Sequence, residues 1–333
     1  MMRKITYTLL GVIAVAGFVF GHATLSPAWA ASKPVVVKAV AFLPVNNANV
    51  AGFNIFVENM NEKFKNNIQI KLLGGPEVTP PFQLHEAVKK GVIDMCLTSC
   101  GYYPSLLWEA QSAMFINKDY REIAQTNYFD IMSKLHKDVG LIWLGAGTLN
   151  MAFHLYTNLE VKKPKDLAGK KIRVFSPFIP LTKALGAVPI NLPMGDIYTA
   201  MERGAVDGFV MTHFGFVKDF SWHEVTKYVI DYPVYQGTAV ILANPKKWNE
   251  IPADVQGEII AFKKSAIDPA IHEYYAELSG KDWQLMMDNG VKPIKFSEAD
   301  GRAFLKLAYD VAWDDVISKS PELAPKLKKM LVK

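Results

Sequence analysis

Arg173 sits in Ile172-Arg173-Val174, between apolar neighbours, so in an extended chain its side chain leaves the opposite face from theirs. A guanidinium is a planar fork that can hold both oxygens of a carboxylate, each charge-assisted bond contributing about 1.5–3 kcal/mol once water is excluded. By pattern alone, however, a lone charge near a strand end reads as solvent-facing. Phe175, Ser176, Phe178, Met194, Met211, His213 and Phe214 lie around it, and Tyr102, Tyr103, Phe153 and His154 come earlier in the chain. His154 and His213 could donate a bond to an acid or titrate near neutrality; a satisfied structural histidine is the plainer reading of each. The aromatic residues are equally good core formers.

Catalytic chemistry finds little support. Ser176 and Ser221 lack the Gly-x-Ser-x-Gly setting of a nucleophile elbow. His-Glu-x-x-His, Cys-x-x-Cys and a Gly-x-Gly-x-x-Gly after a strand are all absent, so neither a metal nor any other cofactor is expected. A triad assembled in space stays open, since six of the seven histidines lie beyond the first thirty residues. Cys96 and Cys100 are the only cysteines. Bridging them requires a turn at Thr98-Ser99, because extended chain would hold the sulfurs too far apart, and the pairing is left open.

The elements that must position Arg173 run from Lys171 to Phe214 and read as strand, loop, helix and strand. Part of this stretch recurs earlier. Glu86–Met95 (EAVKKGVIDM) aligns with Thr199–Gly208 (TAMERGAVDG), matching Ala87 to Ala200, Gly91 to Gly204 and Asp94 to Asp207. Any joint of helix, glycine and strand looks similar, because glycine takes the left-handed cap without strain; the shared alanine and aspartate favour duplication. Two lobes of one α/β architecture are expected.

Elsewhere, Pro34–Phe42, Ile68–Leu73, Val92–Leu97, Val139–Leu144, Val225–Tyr235 and Thr238–Ala243 read as strands. Leu84–Lys90 and Tyr120–His136 read as helices, and from Pro252 onward the chain is almost all helix, with Ser297 as a cap. Trp248, Trp283 and Trp313 are expected to pack these helices on the lobes. Met1–Ala30 carries Arg3 and Lys4, an apolar run from Ile5 to Phe20, then Ala28-Trp29-Ala30, the pattern of a cleaved export signal. An uncleaved anchor is the rival reading. Without Arg3 and Lys4, 35 basic side chains face 32 acidic ones, too even a balance for a nucleic-acid partner.

Taken together, GKKIRVFSP, LGAVPINLPMGDIYTAMERGAVDG and HEVTKYVID are similar to the solute-binding subunit of tripartite ATP-independent periplasmic (TRAP) transporters, the DctP family. The similarity continues through GGPEVTPPFQLHEAVKKGVIDM, the spacing of Asn244, Trp248 and Pro252, and the NGVK turn at Asn289. The resemblance implies a two-lobed periplasmic binding-protein fold: a signal at 1–30, lobe 1 mainly over 31–155, lobe 2 mainly over 156–245, and C-terminal helices over 246–333 bridging both. It implies a periplasmic receptor, not an enzyme, that delivers a small organic acid to membrane permease subunits.

In that family the arginine of the GKKIRV position grips the substrate carboxylate, which points to Arg173, and the position of Met194 lies against the ligand. Departures stand out. A second arginine of the sialic-acid and dicarboxylate binders falls at Phe153, an asparagine at Met211 and an acidic residue near Ser99. A sugar acid would leave hydroxyls unpaired against such groups, at about 1–3 kcal/mol each. The expected ligand is a monocarboxylate with an apolar or aromatic body, such as a 2-oxo acid. The expected contacts are Arg173, Met194, Met211, His213, Phe153, His154, Phe175, Ser176, Tyr102 and Tyr103. A receptor for an ABC importer and a periplasmic hydrolase are the competing readings.

Overall fold

The valine-rich segment enters the fold as β1 (Val35–Ala41). In the computed structural model residues 33–333 are described, and the expected export signal lies outside them. α1 (Ala51–Lys63) buries Phe53, Phe56, Val57 and Met60, the 3.6-residue stripe that an amphipathic helix presents to a core. β2 (Ile68–Gly74) returns parallel to β1. α2 (Leu84–Lys90) stops at Gly91, whose φ of 74° is the left-handed cap that favours glycine, and β3 (Met95–Ser99) runs parallel to β1 on its other side. Cys96 and Cys100 are free and buried. Thr98 and Ser99 continue β3, so the turn that a bridge needs does not form.

The expected helix over Tyr120–His136 is two helices, α3 (Tyr120–Ala124) and α4 (Tyr128–Asp138). Thr126 divides them: its hydroxyl donates back to the Ile123 carbonyl and accepts from the Tyr128 amide, a local side-chain competition with the helix ladder. β4 (Ile142–Thr157) then runs 16 residues, far beyond the Val139–Leu144 segment.

The second half repeats the first. β5 (Lys171–Val174), α5 (Ile179–Ala184), β6 (Val188–Asn191), α6 (Ile197–Glu202) and β7 (Gly208–Thr212) follow in order. β5 pairs in parallel with β6 and β7, as β1 does with β2 and β3. The aligned joints superimpose chemically. Asp94 Oδ2 accepts the Lys38 amide at 2.8 Å, and Asp207 Oδ2 accepts the Lys171 amide at 2.8 Å. In return the Lys38 and Lys171 carbonyls accept the two aspartate amides. The alanine carbonyls of Ala87 and Ala200 each take two amides just past Gly91 and Gly204, and Gly204 is also left-handed, with φ 65°. Asp94→Ala and Asp207→Ala therefore each remove the same acceptor. Each is expected to lower stability by about 1–3 kcal/mol, measured by urea unfolding; a change under about 0.5 kcal/mol in both would show that the joints are not held this way.

β8 (Tyr228–Ala243) is a single 16-residue strand where two were expected. Gly237 does not break it. A Cβ there would lie 2.9 Å from Met114 and 3.0 Å from Phe153, so the missing side chain admits two neighbours instead of starting a turn. The strand order is β2-β1-β3-β8-β4-β7-β5-β6. β8 pairs antiparallel with β3 at one end and with β4 along its length, and β4 pairs antiparallel with β7. The two long strands thus join the duplicated halves. Their pairing shifts register several times between Trp143 and Leu155, where Gly145 and Asn150 take φ of 86° and 57°.

α7 (Pro245–Trp248) follows β8, and α8 (Ala253–Phe262) continues through a π-helical turn, Lys263–Ile267, into α9 (Asp268–Asp288). The buried Lys263 ammonium pairs with Asp268 and donates to the Ala146 carbonyl, pinning this long rod to β4. β9 (Lys292–Ile294) joins β8, and Ser297 caps α10 (Glu298–Lys319), before α11 (Ala324–Leu331). Trp313 of α10 is fully buried, 6.1 Å from the Phe115 ring, and Trp283 of α9 packs on His154 and His213. Trp248 of α7 is buried as well.

Candidate ligand-binding site

The duplication brings the carboxyl ends of both sets of parallel strands together. Phe42 follows β1 and Ser99 ends β3; Phe175 follows β5, Met211 is near the end of β7, and Met194 follows β6. These five residues line one small cavity, in the place where α/β sheets hold their ligands. Tyr102, Met114, Met151, Phe153, Thr238 and Ala239 complete its wall. Its volume is about 10 Å³, no more than one water needs.

Arg173 is 0% exposed, the reverse of the surface position that its strand pattern suggests. Its Nε and Nη2 both donate to the Leu192 carbonyl, at 2.9 and 2.6 Å, and Nη1 donates to the Val210 carbonyl at 3.4 Å. The side of the fork is thereby occupied by backbone. What remains is the end-on pair, one N–H on Nη1 and one on Nη2, a spacing that matches two carboxylate oxygens. No carboxylate lies within ion-pair distance of Arg173 among the described residues, and Asp196 acts on it only from farther away. Burial pushes its pKa down to about 10, so it is charged at neutral pH. The guanidinium carbon stands 5.8 Å from the centre of the Phe175 ring. A buried, charged and anion-free guanidinium is costly in an empty protein, and an acid would relieve that cost.

Of the residues expected at the site, Tyr102, Phe153, Phe175, Met194 and Met211 meet at the cavity, with Arg173 beside them. Phe209, on the same face of β7 as Met211, instead stacks on Tyr156 at 4.9 Å; its position at the start of the strand keeps it in the core. Tyr103 does not reach the cavity: its hydroxyl is taken by His136 at 3.0 Å and Cys100 at 3.3 Å. Ser176 turns its hydroxyl to the Gln111 carboxamide oxygen at 3.4 Å.

His154 and His213 face each other and Trp283, with ring centres 5.0–5.9 Å apart, outside the cavity wall. His213 Nε2 is held by Ser279, whose hydroxyl oxygen lies 2.9 Å away. Burial lowers His154 to about 3 and His213 to about 4. Both rings are neutral at physiological pH and offer an acid no positive charge.

Phe42, Met114, Met151 and Thr238 line the cavity without having been anticipated. Met151 belongs to the part of β4 that the strand reading cut short, Thr238 opens a segment that was read as a strand of its own with no role at the site, and Met114 sits in a 3-10 segment with no periodic signature. The two halves also touch directly. Tyr102 meets Phe175 edge to face at 5.6 Å, the Ala48 amide donates to Asp219 Oδ2 at 2.7 Å, and Asn49 Nδ2 donates to the Phe214 carbonyl at 3.2 Å.

Among known proteins, the family model of bacterial extracellular solute-binding protein family 7, DctP, matches residues 40–319. The monocarboxylate 2-oxoacid-binding periplasmic protein of Nostoc sp. is 24% identical over 265 residues, spanning 76% of this chain and 71% of that protein. A TRAP periplasmic solute binding protein from Desulfovibrio salexigens, solved with bound orotic acid, has a TM-score of 0.80 at 18% identity over 89% of this chain and 97% of its own. One from Ralstonia eutropha H16, solved with (S)-2-acetolactate, has a TM-score of 0.77 at 22% identity over 89% and 98%. Among the described residues no helix is long and apolar enough to cross a membrane. With the family match running from β1 to the end of α10, this chain belongs to the DctP family of extracytoplasmic solute-binding receptors and is not an enzyme.

Proposed function

We propose that the protein is the periplasmic receptor of a TRAP transporter, that it captures a monocarboxylate with an apolar or aromatic body, and that it hands this acid to membrane permease subunits. Arg173 carries the reading: a buried guanidinium whose end-on N–H pair has no acceptor, and which has no carboxylate within ion-pair distance, among the described residues. The cavity whose Phe175 ring lies 5.8 Å from the guanidinium carbon is walled by Met114, Met151, Met194 and Met211 and by four aromatic rings. Ser99 and Thr238 alone add side-chain hydroxyls besides that of Tyr102. So few polar groups suit one further oxygen, as in a 2-oxo acid, and would leave a sugar's hydroxyls unpaired. The ligand named for the Nostoc relative is of this class.

Capture requires movement. At about 10 Å³ the cavity is too small for any acid, so lobe 1 (31–155) and lobe 2 (156–245) must part and re-close, with the helices of 246–333 spanning both. Closure is a population shift that the ligand drives by touching both lobes. Asp94 and Asp207 hold backbone amides at the two joints, which leaves neither to grip the amine of an amino acid, as an ABC-type receptor would need.

The test is a thermal-shift screen of 2-oxo acids, aromatic acids, dicarboxylates and sugar acids, followed by calorimetry. Branched or aromatic monocarboxylates are expected to raise Tm by several degrees; stabilisation by sugar acids alone would overturn the ligand class. Met211→Asn is expected to weaken the best monocarboxylate about tenfold, through a polar group left unpaired against an apolar body. An unchanged Kd would remove Met211 from the contact surface.

A further inference from the structure

A second, larger cavity lies on the two joining strands. Its volume is about 270 Å³, against about 150 Å³ for an apolar cavity that admits benzene. Tyr120, Phe129 and Trp143 form aromatic walls, and Leu149 of β4 with Gln236 and Thr238 of β8 form the floor. Gln236 and Thr238 stand two residues apart, so their side chains share one face of β8. Neither the Gln236 carboxamide nor the largely buried Thr238 hydroxyl makes a side-chain hydrogen bond among the described residues. Thr238 also lines the smaller cavity near Arg173, so one side chain borders both spaces.

The charges on the rim are already engaged. Lys264 lies 3.9 Å over the Phe129 ring and 3.7 Å from Asp130, Asp268 is paired with Lys263, and the Lys118 ammonium donates to the Lys329 carbonyl. Two ion pairs therefore cancel, and Lys118, the one rim charge without a carboxylate partner among the described residues, is held by a backbone carbonyl. We propose that this cavity is a second small-molecule site, which takes a neutral, flat, one- or two-ring compound whose carbonyl or lactam edge bonds Gln236 and Thr238. Aromatic walls supply burial and ring contacts, while the two unpaired polar groups fix orientation. The site does not depend on the reading of Arg173.

Oxindole, a neutral bicyclic lactam, is the probe. Calorimetry with the full mature chain is expected to show saturable binding that Arg173→Met leaves within twofold. Ala146→Leu, which fills the cavity from β4, is expected to weaken it at least tenfold. Thr238→Val, which removes the hydroxyl at constant shape, is expected to weaken it about three- to tenfold. Absence of saturable binding up to the solubility limit overturns the proposal. So does loss of binding in Arg173→Met, which would place oxindole in the acid cavity, or wild-type binding in both Ala146→Leu and Thr238→Val.

Discussion

Arg173→Met will abolish capture of the acid and leave the empty protein about as stable as the wild type, or more so. Two charge-assisted bonds from the end-on fork contribute about 3–6 kcal/mol, so the variant should bind at least a hundredfold more weakly. Stability runs the other way. In the empty receptor Arg173 is a fully buried cation without a partner anion among the described residues, and burial already pulls its pKa down to about 10. Removing it releases that penalty, several kcal/mol for an ion of this kind. It also leaves the Leu192 carbonyl without its two donors, a loss of about 1–3 kcal/mol. The first effect equals or exceeds the second. Arg173→Lys keeps the charge but lacks the fork, since one ammonium cannot hold the Leu192 carbonyl and both carboxylate oxygens; it should still lose at least tenfold. Calorimetry and urea unfolding on the three proteins decide the matter. Affinity within threefold of wild type in Arg173→Met would refute the site.

Gly101→Val will weaken ligand binding about five- to a hundredfold while the fold stays intact. Gly101 lies in the 3-10 turn Cys100–Tyr102, at the point where the first half touches the second. A Cβ there would stand 2.6 Å from Pro177 Cγ and 2.7 Å from the Phe175 ring. Both neighbours are stiff, a pyrrolidine ring and an aromatic ring already packed on Tyr102 and Phe153. Overpacking of this kind costs about 1–3 kcal/mol, and under the closure proposed above it falls on the closed arrangement alone, because parting the halves removes the contact. The affinity loss therefore reports the closure equilibrium. Small-angle scattering should show that the variant needs more ligand than the wild type to reach the compact radius. An unchanged Kd together with an unchanged radius would mean that the halves do not close through this contact.

The two experiments probe features of different legibility. Gly101 carried no signal, because its role is a contact with Pro177, 76 positions away, and nothing in Cys100-Gly101-Tyr102 announces it. Arg173 carried a misleading one, since a lone charge between two apolar neighbours reads as solvent-facing. Only the motifs around it, matched to the family, gave it a role. The helix reading failed at Thr126, where one hydroxyl competes with the backbone, and the strand reading failed at Gly237, where a missing side chain serves packing instead of a turn.

The sequence by itself determined the duplicated joint, down to Ala87, Gly91 and Asp94 and their partners Ala200, Gly204 and Asp207. It also determined the helical C-terminal quarter and the apolar character of the residues at the expected site. Each of these is local: a 3.6-residue stripe, a glycine with positive φ, or an aspartate accepting an amide from the neighbouring strand of its own half. Tertiary structure alone decided that Arg173 is buried, that the Leu192 carbonyl closes one side of its fork, and that Met114, Met151 and Thr238 join the wall. It also turned Tyr103, His154 and His213 away toward His136, Trp283 and Ser279. Burial and cavity shape arise where β4 and β8 bring distant segments side by side, and no spacing along the chain encodes which of them will meet.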